Sequence, residues 1–253
     1  MKKFKIACLG VLLAAVASGC AQTDVSKKGV DPVALANALQ SGDRAEADMK
    51  RDAGRKPAEV IAFLGIEEGM SVIDLIAAGG YYTEVLSNAV GSSGTVYAQN
   101  PAAVLKFRDG ANDKAMSARL ADNRLANVKR WDREFTDLGI EAGSLDAALT
   151  ALNLHDVYNN SPEAAYGALM TVTATLKSGG ILGIIDHSGN PDADNAKLHR
   201  MQKSQAVELA EKLGFKVESS ELLSNSSDDK TQMVFAPGVR GSTDRFLLKL
   251  TKP

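Results

Sequence analysis

Cysteine is almost absent from this sequence, and its two examples, Cys8 and Cys20, both lie close to the N-terminus. The rest of the chain can therefore form no disulfide and offers no thiol for catalysis. An excess of basic residues is also absent, since the formal net charge at pH 7 is −2 and no basic run stands out. Proteins that bind nucleic acid through its phosphates are usually basic. We therefore expect no nucleic-acid partner.

The N-terminus has the pattern of a secretory signal. Three lysines among the first five residues precede an apolar run of 11 residues, Ile6 to Val16, and small residues then lead to Cys20. A helix needs roughly 20 apolar residues to cross a bilayer. The run is therefore too short for a retained anchor, and we expect residues 1–19 to be removed.

The residues that end in Cys20 resemble the signal of bacterial lipoproteins, in which the cysteine receives lipid and becomes the new N-terminus. Several acyl chains would anchor the protein stably to a membrane. The alternative is cleavage nearby, with Cys20 left as a free thiol. Ala21 does not resemble an inner-membrane retention signal. We therefore expect an exported protein on the periplasmic side of the envelope, lipid-anchored at the outer membrane, and the lost lysines would bring its charge to −5.

The mature chain is long enough for one domain of ordinary size. We predict a tether at residues 20–30 and a single α/β domain at residues 31–253. Three helical segments open this domain: Asp31 to Gly42, Arg44 to Lys56 and Pro57 to Leu64. Asp31 can cap the first of them, with Pro32 in its first turn.

From Ser71 onward, short apolar runs of β type alternate with helical segments, which is typical of parallel strands joined by helices. The predicted strands are Ser71 to Ile76, Gly94 to Ala98, Val128 to Trp131, Leu145 to Leu152 and Gly180 to Asp186, followed at one edge by Lys216 to Leu222, Thr231 to Phe235 and Arg245 to Leu250. The predicted helices are Tyr82 to Ala89, Ala102 to Phe107, Asp113 to Ala121, Pro162 to Leu176 and Ala193 to Leu213. The fold class is therefore α/β: a Rossmann-like, doubly wound, mostly parallel sheet of about seven strands, with helices on both faces and an N-terminal helical extension.

The segment Ser71 to Tyr82 predicts a small-molecule site. In a doubly wound sheet, ligands bind beyond the carboxyl ends of strands, where a strand turns into its helix. Gly79 and Gly80 permit close approach to the backbone, and the start of the following helix offers unpaired amide groups. Two adjacent glycines after a strand are a weak signal when taken alone.

Five segments carry a resemblance to a known superfamily: Val72-Ile73-Asp74, Gly94 to Ala98, Asn127 to Leu138, Gly143 to Leu149 and Leu176 to Leu182. Their order resembles the successive motifs of class I S-adenosylmethionine-dependent methyltransferases. Six further segments resemble a family of predicted exported methyltransferases: Arg51-Asp52, Arg55-Lys56-Pro57, Gly80 to Thr83, Asp186-His187, Leu198 to Arg200 and Arg240 to Phe246. The resemblance implies S-adenosylmethionine as cofactor and a methyl acceptor as substrate.

The resemblance also implies a set of cofactor contacts: Asp74, Ala78, Gly79, Gly80, Tyr81, Gln99, Asn100, Glu134 and Asn153. Glu134 falls where an acid meets the adenine amino group in the superfamily. Ile76 and Ala78 depart from the pattern, because they replace the first two glycines of its Gly-x-Gly-x-Gly turn. Gln99 or Asn100 stands in place of the carboxylate that binds the ribose hydroxyls. An amide can accept one hydrogen bond and donate another, but neither is charge-assisted.

Polar residues gather after the later strands and on the next helix: Asn153, His155, Asp156, Asp186, His187, His199 and Arg200. Strand ends on one side of a parallel sheet converge, so these groups could share a cleft with the turn. A histidine there could act as general base toward a methyl acceptor. The candidate catalytic residues are His155, Asp156 and His187.

Other interpretations of these residues stay open. The histidines and aspartates could instead satisfy backbone groups in loops. They could also hold a divalent metal, although no pair has HxxxH-type spacing and we assign no metal ligand. Arg240 to Arg245 could bind an anionic substrate or form a salt-bridged edge strand. Arg44 to Lys56 favours a solvated helical face, although Arg55-Lys56-Pro57 could lie over the site. Tyr81 and Tyr82 favour packing.

Three functional hypotheses follow. The first is a methyltransferase that acts on a small molecule and is carried as an envelope lipoprotein. S-adenosylmethionine is made in the cytoplasm, which favours a second hypothesis for an exported chain: a non-catalytic ligand-binding lipoprotein on the same fold. The third is a metal-dependent enzyme that uses His155, His187 and His199.

Overall fold

The structure, a computed structural model, describes Met1 and residues 29–253. Apart from Met1, the expected signal peptide lies outside the described residues, as do Cys20 and most of the expected tether. The helices are α1 (Pro32–Leu39), α2 (Glu46–Arg55), α3 (Pro57–Leu64), α4 (Tyr81–Val90), α5 (Ala102–Leu120), α6 (Leu154–Asn160), α7 (Pro162–Thr175), α8 (Asn195–Leu198) and α9 (Lys203–Lys212). The strands are β1 (Ser71–Leu75), β2 (Thr95–Gln99), β3 (Val128–Trp131), β4 (Leu145–Ala151), β5 (Leu176–His187), β6 (Lys216–Ser220) and β7 (Arg245–Thr251). Within the described part, no helix is both long and apolar enough to span a membrane.

The described strands form one seven-stranded sheet in the order β3-β2-β1-β4-β5-β7-β6. The first five strands in this order are parallel to one another. β7 pairs antiparallel with both β5 and β6. The chain passes from β1 to β2 on one side and reaches β4 on the other, so the strand order reverses beside β1. Such a reversal opens a crevice at the carboxyl ends of the strands. The predicted α/β fold class is confirmed.

Helices cover both faces of the sheet because successive strand residues point to opposite faces. Val72 belongs to the core under α1, α3 and α4, and the next residue, Ile73, belongs to the core under α7 and α9. Both side chains are fully buried. Continuous apolar runs are therefore expected in the central strands, since neither face meets water.

One long helix is predicted from Ala193 to Leu213, and this prediction is wrong. The chain instead forms α8 and α9, because His199 has a left-handed φ of 54° that ends α8. The residues after His199 return to the sheet, where Met201 forms an isolated parallel bridge with Ser188 at the end of β5. The break thus places His199 beside the strand ends.

The strand predicted at Thr231 to Phe235 is also wrong. β7 already has a partner on each side, so it offers this segment no free edge. The backbone of the segment bonds elsewhere: the Gln232 carbonyl accepts from two guanidinium nitrogens of Arg200, and the Val234 amide donates to the Leu198 carbonyl. Conversely, α6 is a helix that the sequence analysis did not predict.

The charged stretch Arg44 to Lys56 is more buried than the solvated helical face that its sequence predicts. Arg44 and Asp48 are buried, and Arg44 forms a two-bond ion pair with Asp52, at 2.5 and 3.0 Å. Asp48 accepts from Arg119 of α5 at 2.6 Å. The bond between Asp48 and Arg119 joins α2 to α5 at one side of the crevice.

Candidate ligand-binding site

The turn after β1 has a left-handed backbone at two positions that carry side chains. Ile76 and Ala78, which replace two glycines of the superfamily pattern, have φ of 51° and 50°, and Gly80 has φ of 85°. The left-handed conformation costs a residue with a side chain roughly 1 kcal/mol or more. The chain therefore forms this turn at an energetic cost.

Two amides from the end of β2 hold this turn. Asn100 Oδ1 accepts from the Ala78 amide at 2.8 Å, and Asn100 Nδ2 donates to the Ala78 carbonyl at 3.2 Å. Gln99 Oε1 accepts from the Ile76 amide at 3.0 Å, while its Nε2 donates to the Arg133 carbonyl at 2.6 Å. Both side chains are fully buried. The sequence predicts an amide that faces the ribose; in the structure both amides are bonded to backbone, and neither lines the cavity described below.

Glu134 is likewise bonded within the chain. Its Oε1 accepts from the Ala102 amide at 2.9 Å, which places a carboxylate at the start of α5, where unpaired amides favour negative charge. Glu134 is exposed, and it does not line the cavity described below. The structure therefore gives Glu134 the position of a helix cap.

Asp74, the single acid of β1, is buried and accepts from the Thr83 hydroxyl at 2.6 Å. Burial raises the pKa of this carboxyl to about 7, although the Thr83 hydrogen bonds and the charges of Arg119 and Arg55 favour the ionised form. Asp74 can therefore change its charge near neutral pH, and a cationic ligand beside it would favour the carboxylate.

A cavity of about 1000 Å³ opens at the carboxyl ends of β1 and β4. Seven of the predicted site residues line it: Asp74, Ala78, Gly79, Tyr81, Asn153, Asp156 and His187. Five others do not: Gly80, Gln99, Asn100, Glu134 and His155. The remaining walls come from α2, α5 and the segment before β7. Arg55 of α2 also lines the cavity, which agrees with the interpretation that Arg55-Lys56-Pro57 lies over the site.

The predicted histidine cluster exists, and its members differ in charge. His155 is buried, with Nδ1 2.6 Å from Asp186 Oδ1 and Nε2 3.3 Å from Asp156 Oδ1. Burial by itself would lower the pKa of His155, but the two carboxylates outweigh it and raise the pKa to about 10. His155 is therefore an imidazolium at neutral pH and is unsuited to accept a proton.

His187 has the opposite character. Burial, the positive charge of His155 and that of Arg245 hold the pKa of His187 well below its usual value. His187 Nδ1 lies 2.8 Å from the Thr243 hydroxyl, and the residue lines the cavity. A neutral imidazole at this place can act as a base.

His199 and Arg200 have different surroundings. His199 lines the cavity, and its Nδ1 lies 2.8 Å from Asp156 Oδ1. Arg200 is fully buried and pairs with Asp228 at 2.8 Å, so the expectation that it shares the cleft is wrong. Arg200 instead organises the backbone that carries His199.

Arg55 and Arg245, two of the arginines that line the cavity, have no carboxylate partner among the described residues. Arg55 lies over the Tyr81 ring at 4.3 Å, and Arg245 donates to the carbonyls of Gly54 and Gly241 and to the Thr243 hydroxyl. Burial lowers the pKa of both, and the charge of Arg55 lowers that of Arg245 further. β7 is not an edge strand, so the alternative of a salt-bridged edge strand for Arg245 is wrong.

Arg119 is a residue of the cavity wall that sequence reasoning missed. It donates to the carboxylates of Glu84 and Asp48 and to the Gly79 carbonyl, which ties α4, α2 and the turn together. Its acidic partners lie 35 and 71 positions away in the chain. No local pattern could therefore have marked Arg119.

In comparisons with known proteins, no protein-family model matches this chain and no curated protein matches it by sequence. Solved structures match by shape. An S-adenosylmethionine-dependent methyltransferase from Aquifex aeolicus aligns with a TM-score of 0.60 at 18% identity, over 88% of this chain and 100% of that chain. The [4+2]-cyclase SpnF aligns with a TM-score of 0.58 at 15% identity, over 87% and 92%. An S-adenosylmethionine-dependent O-methyltransferase from Thermotoga maritima aligns with a TM-score of 0.53 at 17% identity, over 88% and 72%.

Similarity at this level of identity concerns the fold, and one fold can carry different reactions. The cyclase among the similar structures is an example. The chain has the Rossmann-like fold of class I S-adenosylmethionine-dependent methyltransferases.

Proposed function

We propose that the protein is an S-adenosylmethionine-dependent methyltransferase that acts on a small molecule. The observation that carries this proposal is the cavity of about 1000 Å³ at the turn after β1. Ligands of doubly wound sheets bind where the strand order reverses, and a cavity of this volume lies at the upper end of the range for ligand sites. It has room for a cofactor and a small acceptor.

The residues present fit one end of S-adenosylmethionine better than the other. Asp74, Gly79 and Asn153 line the cavity and could hold the amino-acid end, whose ammonium group would pair with the Asp74 carboxylate. At the nucleoside end, the amides of Gln99 and Asn100 are already bonded to backbone. When bound, the cofactor would supply an electrophilic methyl group. Its affinity would rest mainly on the amino-acid end.

An anionic group on the ligand would complete the cavity. Arg55 and Arg245 are two partly desolvated cations without a carboxylate partner in the described chain, and such cations gain most from a buried anion. The carboxylate could belong to the methionine end of the cofactor or to the methyl acceptor. Both sources share the same chemistry, and titrations can separate them.

His187 is the proposed general base. In the tautomer whose Nδ1–H donates to Thr243, Nε2 is free to accept a proton. The nucleophilic atom of the acceptor would form a bond to the methyl carbon, and its proton would pass to His187 Nε2. Methyl transfer otherwise needs little beyond alignment of the reacting atoms.

Calorimetric titration of the mature chain with Cys20→Ser tests the proposal. S-adenosylhomocysteine carries the amino-acid end, and methylthioadenosine lacks it, so we expect the first to bind at least about tenfold more tightly. Asp74→Asn should weaken binding of S-adenosylhomocysteine, whereas Asp192→Asn, at an exposed acid, should not. Absence of binding by S-adenosylmethionine and S-adenosylhomocysteine at millimolar concentration would overturn the proposal.

The acceptor requires a second titration. If Arg55→Gln lowers the affinity for S-adenosylhomocysteine and leaves the affinity for methylthioadenosine unchanged, the guanidinium group binds the carboxylate of the cofactor. If both nucleosides keep their affinity, the anionic group belongs to the acceptor.

A second candidate function is non-catalytic binding of another envelope ligand. The specific observation in its favour is that the side-chain amides of Gln99 and Asn100, which stand in place of a ribose-binding carboxylate, are bonded to backbone. This candidate predicts a folded protein with an open cavity and no affinity for either nucleoside. The same calorimetric experiment therefore separates the two functions.

We also propose that the protein works as an envelope lipoprotein, with lipid on Cys20 and no nucleic-acid partner. Support comes from the lysines, the apolar run and the small residues that precede Cys20 in the sequence. Membrane fractionation of bacteria that express the natural chain or Cys20→Ser tests the anchor. The natural chain should sediment with outer membranes and the variant should be released into the periplasm; a variant that still sediments would contradict the proposal.

A further inference from the structure

Three potential metal ligands meet at one end of the cavity. His155 Nε2, Asp156 Oδ1 and His199 Nδ1 lie within 4.8 Å of one another. The separation is 3.3 Å between His155 and Asp156, and 2.8 Å between His199 and Asp156. The ligand set comes from the start of α6 and the end of α8, two elements that the sequence does not bring together.

His155 is oriented as metal-binding histidines usually are. Its Nδ1 lies 2.6 Å from Asp186 Oδ1, and the other oxygen of Asp186 accepts from the His155 amide at 2.8 Å. The His187 amide also donates to Asp186 at 2.7 Å. A carboxylate on one ring nitrogen fixes the ring and leaves the second nitrogen for an ion.

The second nitrogen of His155 is buried without a hydrogen-bond partner among the described residues. Its approach to Asp156 Oδ1 at 3.3 Å lacks hydrogen-bond geometry. Buried polar atoms are nearly always satisfied, so an unpaired imidazole nitrogen beside a carboxylate calls for a further partner. A cation between these two atoms would supply it, and its binding would release the Nε2 proton of the His155 imidazolium to solvent.

The backbone around His199 points the same way. His199 adopts a left-handed φ of 54°, a conformation that costs a residue with a side chain energy and is often retained at functional sites. Its ring packs against Phe235 at 5.0 Å between centroids. The strained backbone brings His199 to Asp156.

We propose that His155, Asp156 and His199 bind a divalent transition-metal ion, with Asp186 as the outer partner of His155. Two ligands about 2.1 Å from a tetrahedral zinc ion lie roughly 3.4 Å apart. The 3.3 Å between His155 and Asp156 meets this spacing, and the 2.8 Å contact of His199 needs to widen by about half an ångström. Two imidazoles and one carboxylate suit Zn²⁺ or another borderline ion.

The site would leave coordination positions for a ligand. Asp156 and His199 line the cavity, and three protein ligands leave at least one position of a tetrahedral ion open. A water molecule or an oxygen of the cavity's ligand could occupy it. The ion would sit near His187, whose ring centroid is 5.8 Å from that of His155.

The test uses the mature chain with Cys20→Ser and without a histidine tag. After dialysis against a chelator, the protein is titrated with Zn²⁺ and then with Mn²⁺ in a calorimeter, and metal content is measured after gel filtration. We expect one Zn²⁺ per chain and a rise in melting temperature on binding. No nucleoside is present, so failure of the methyltransferase proposal would not affect this result.

Two variants and a control identify the site. His199→Gln, at a partly exposed residue, should abolish stoichiometric Zn²⁺ binding, and Asp186→Asn should weaken it by about 10- to 100-fold. Asp192→Asn, at an exposed acid outside the cluster, is the control and should leave Zn²⁺ affinity unchanged. A chain that takes up no metal, or a His199→Gln chain that binds Zn²⁺ as tightly as the parent, would overturn the proposal. The cluster would then be an imidazolium held between two carboxylates.

Discussion

Asn100 bonds to both backbone groups of Ala78, accepting from its amide at 2.8 Å and donating to its carbonyl at 3.2 Å. The amide side chain thus connects the end of β2 to the turn after β1 by two hydrogen bonds. A ribose-binding carboxylate could accept from the Ala78 amide but could not donate to its carbonyl. The Asn100 side chain therefore fixes the turn in the absence of a ligand.

Asn100→Ala should destabilise the fold. The substitution leaves the amide and the carbonyl of Ala78 without their partner, and each unpaired buried group costs about 1 to 3 kcal/mol. We expect a loss of about 2 kcal/mol in the free energy of unfolding, measured by urea denaturation. Asn37→Ala, at an exposed position of α1, is the control and should change stability by less than about 0.5 kcal/mol. Equal effects of the two variants would contradict the role of Asn100.

Ala78→Gly should stabilise the protein or leave its stability unchanged. Ala78 has φ of 50°, where glycine is free of steric strain, and this relief offsets the entropy that glycine gains in the unfolded chain. Ala36→Gly in the middle of α1 should instead cost about 1 kcal/mol. Thermal denaturation of both variants measures the contrast. A loss at Ala78 as large as that at Ala36 would show that the turn is not strained there.

The fold was predictable because its signals are local. Each central strand is a short apolar run that alternates with a helical segment. The adjacent apolar residues Val72 and Ile73 pack on opposite faces of the sheet. The prediction of a strand at Thr231 to Phe235 was wrong because a β-type composition does not provide a neighbouring strand with which to pair. The strand next to it, β7, is paired on both sides.

The place of the site was predictable, whereas its contacts were not. Asp74 lies near the carboxyl end of β1, and Asp156 lies in the first turn of the helix that follows β4, so their position at the sheet edge follows from chain order. Arg119 reaches the turn from α5 through partners far away in the sequence. The break at His199 depends on Arg200, whose burial and pairing with Asp228 fix the backbone only after folding.

Arg200→Gln should be among the most damaging single substitutions. Arg200 is fully buried and pairs with Asp228 at 2.8 Å, while it also donates to the carbonyls of Ser188 and Gln232. Loss of one partner of a buried ion pair costs about 3 to 5 kcal/mol, because the remaining charge stays buried. Arg130→Gln, in a surface pair with Asp113, should cost less than about 1 kcal/mol. Urea denaturation of both variants provides the comparison, and a small effect at Arg200 would contradict the structural role assigned to it.

Ionisation of Asp74 should oppose folding over a defined pH range. Burial raises its pKa to about 7 in the folded protein, against the favourable hydrogen bond from Thr83, and the unfolded value is about 3.9. The folded state therefore holds the additional proton between these values. The contribution of Asp74 to the free energy of unfolding is full below about pH 4, falls by a few kcal/mol as the pH rises to about 7, and then stays constant.

Asp74→Asn removes this titration and keeps an oxygen that can accept from Thr83. In urea denaturation between about pH 5 and pH 8, the variant should gain stability relative to the natural residue as the pH rises, with most of the gain complete near pH 7. Other acids titrate in both proteins and cancel in the difference. Asp192→Asn is the control, and its difference should not vary with pH. If the Asp74 difference were equally constant, the carboxyl would be ionised in the folded protein throughout this range, and the cavity would carry a fixed negative charge beneath its ligand.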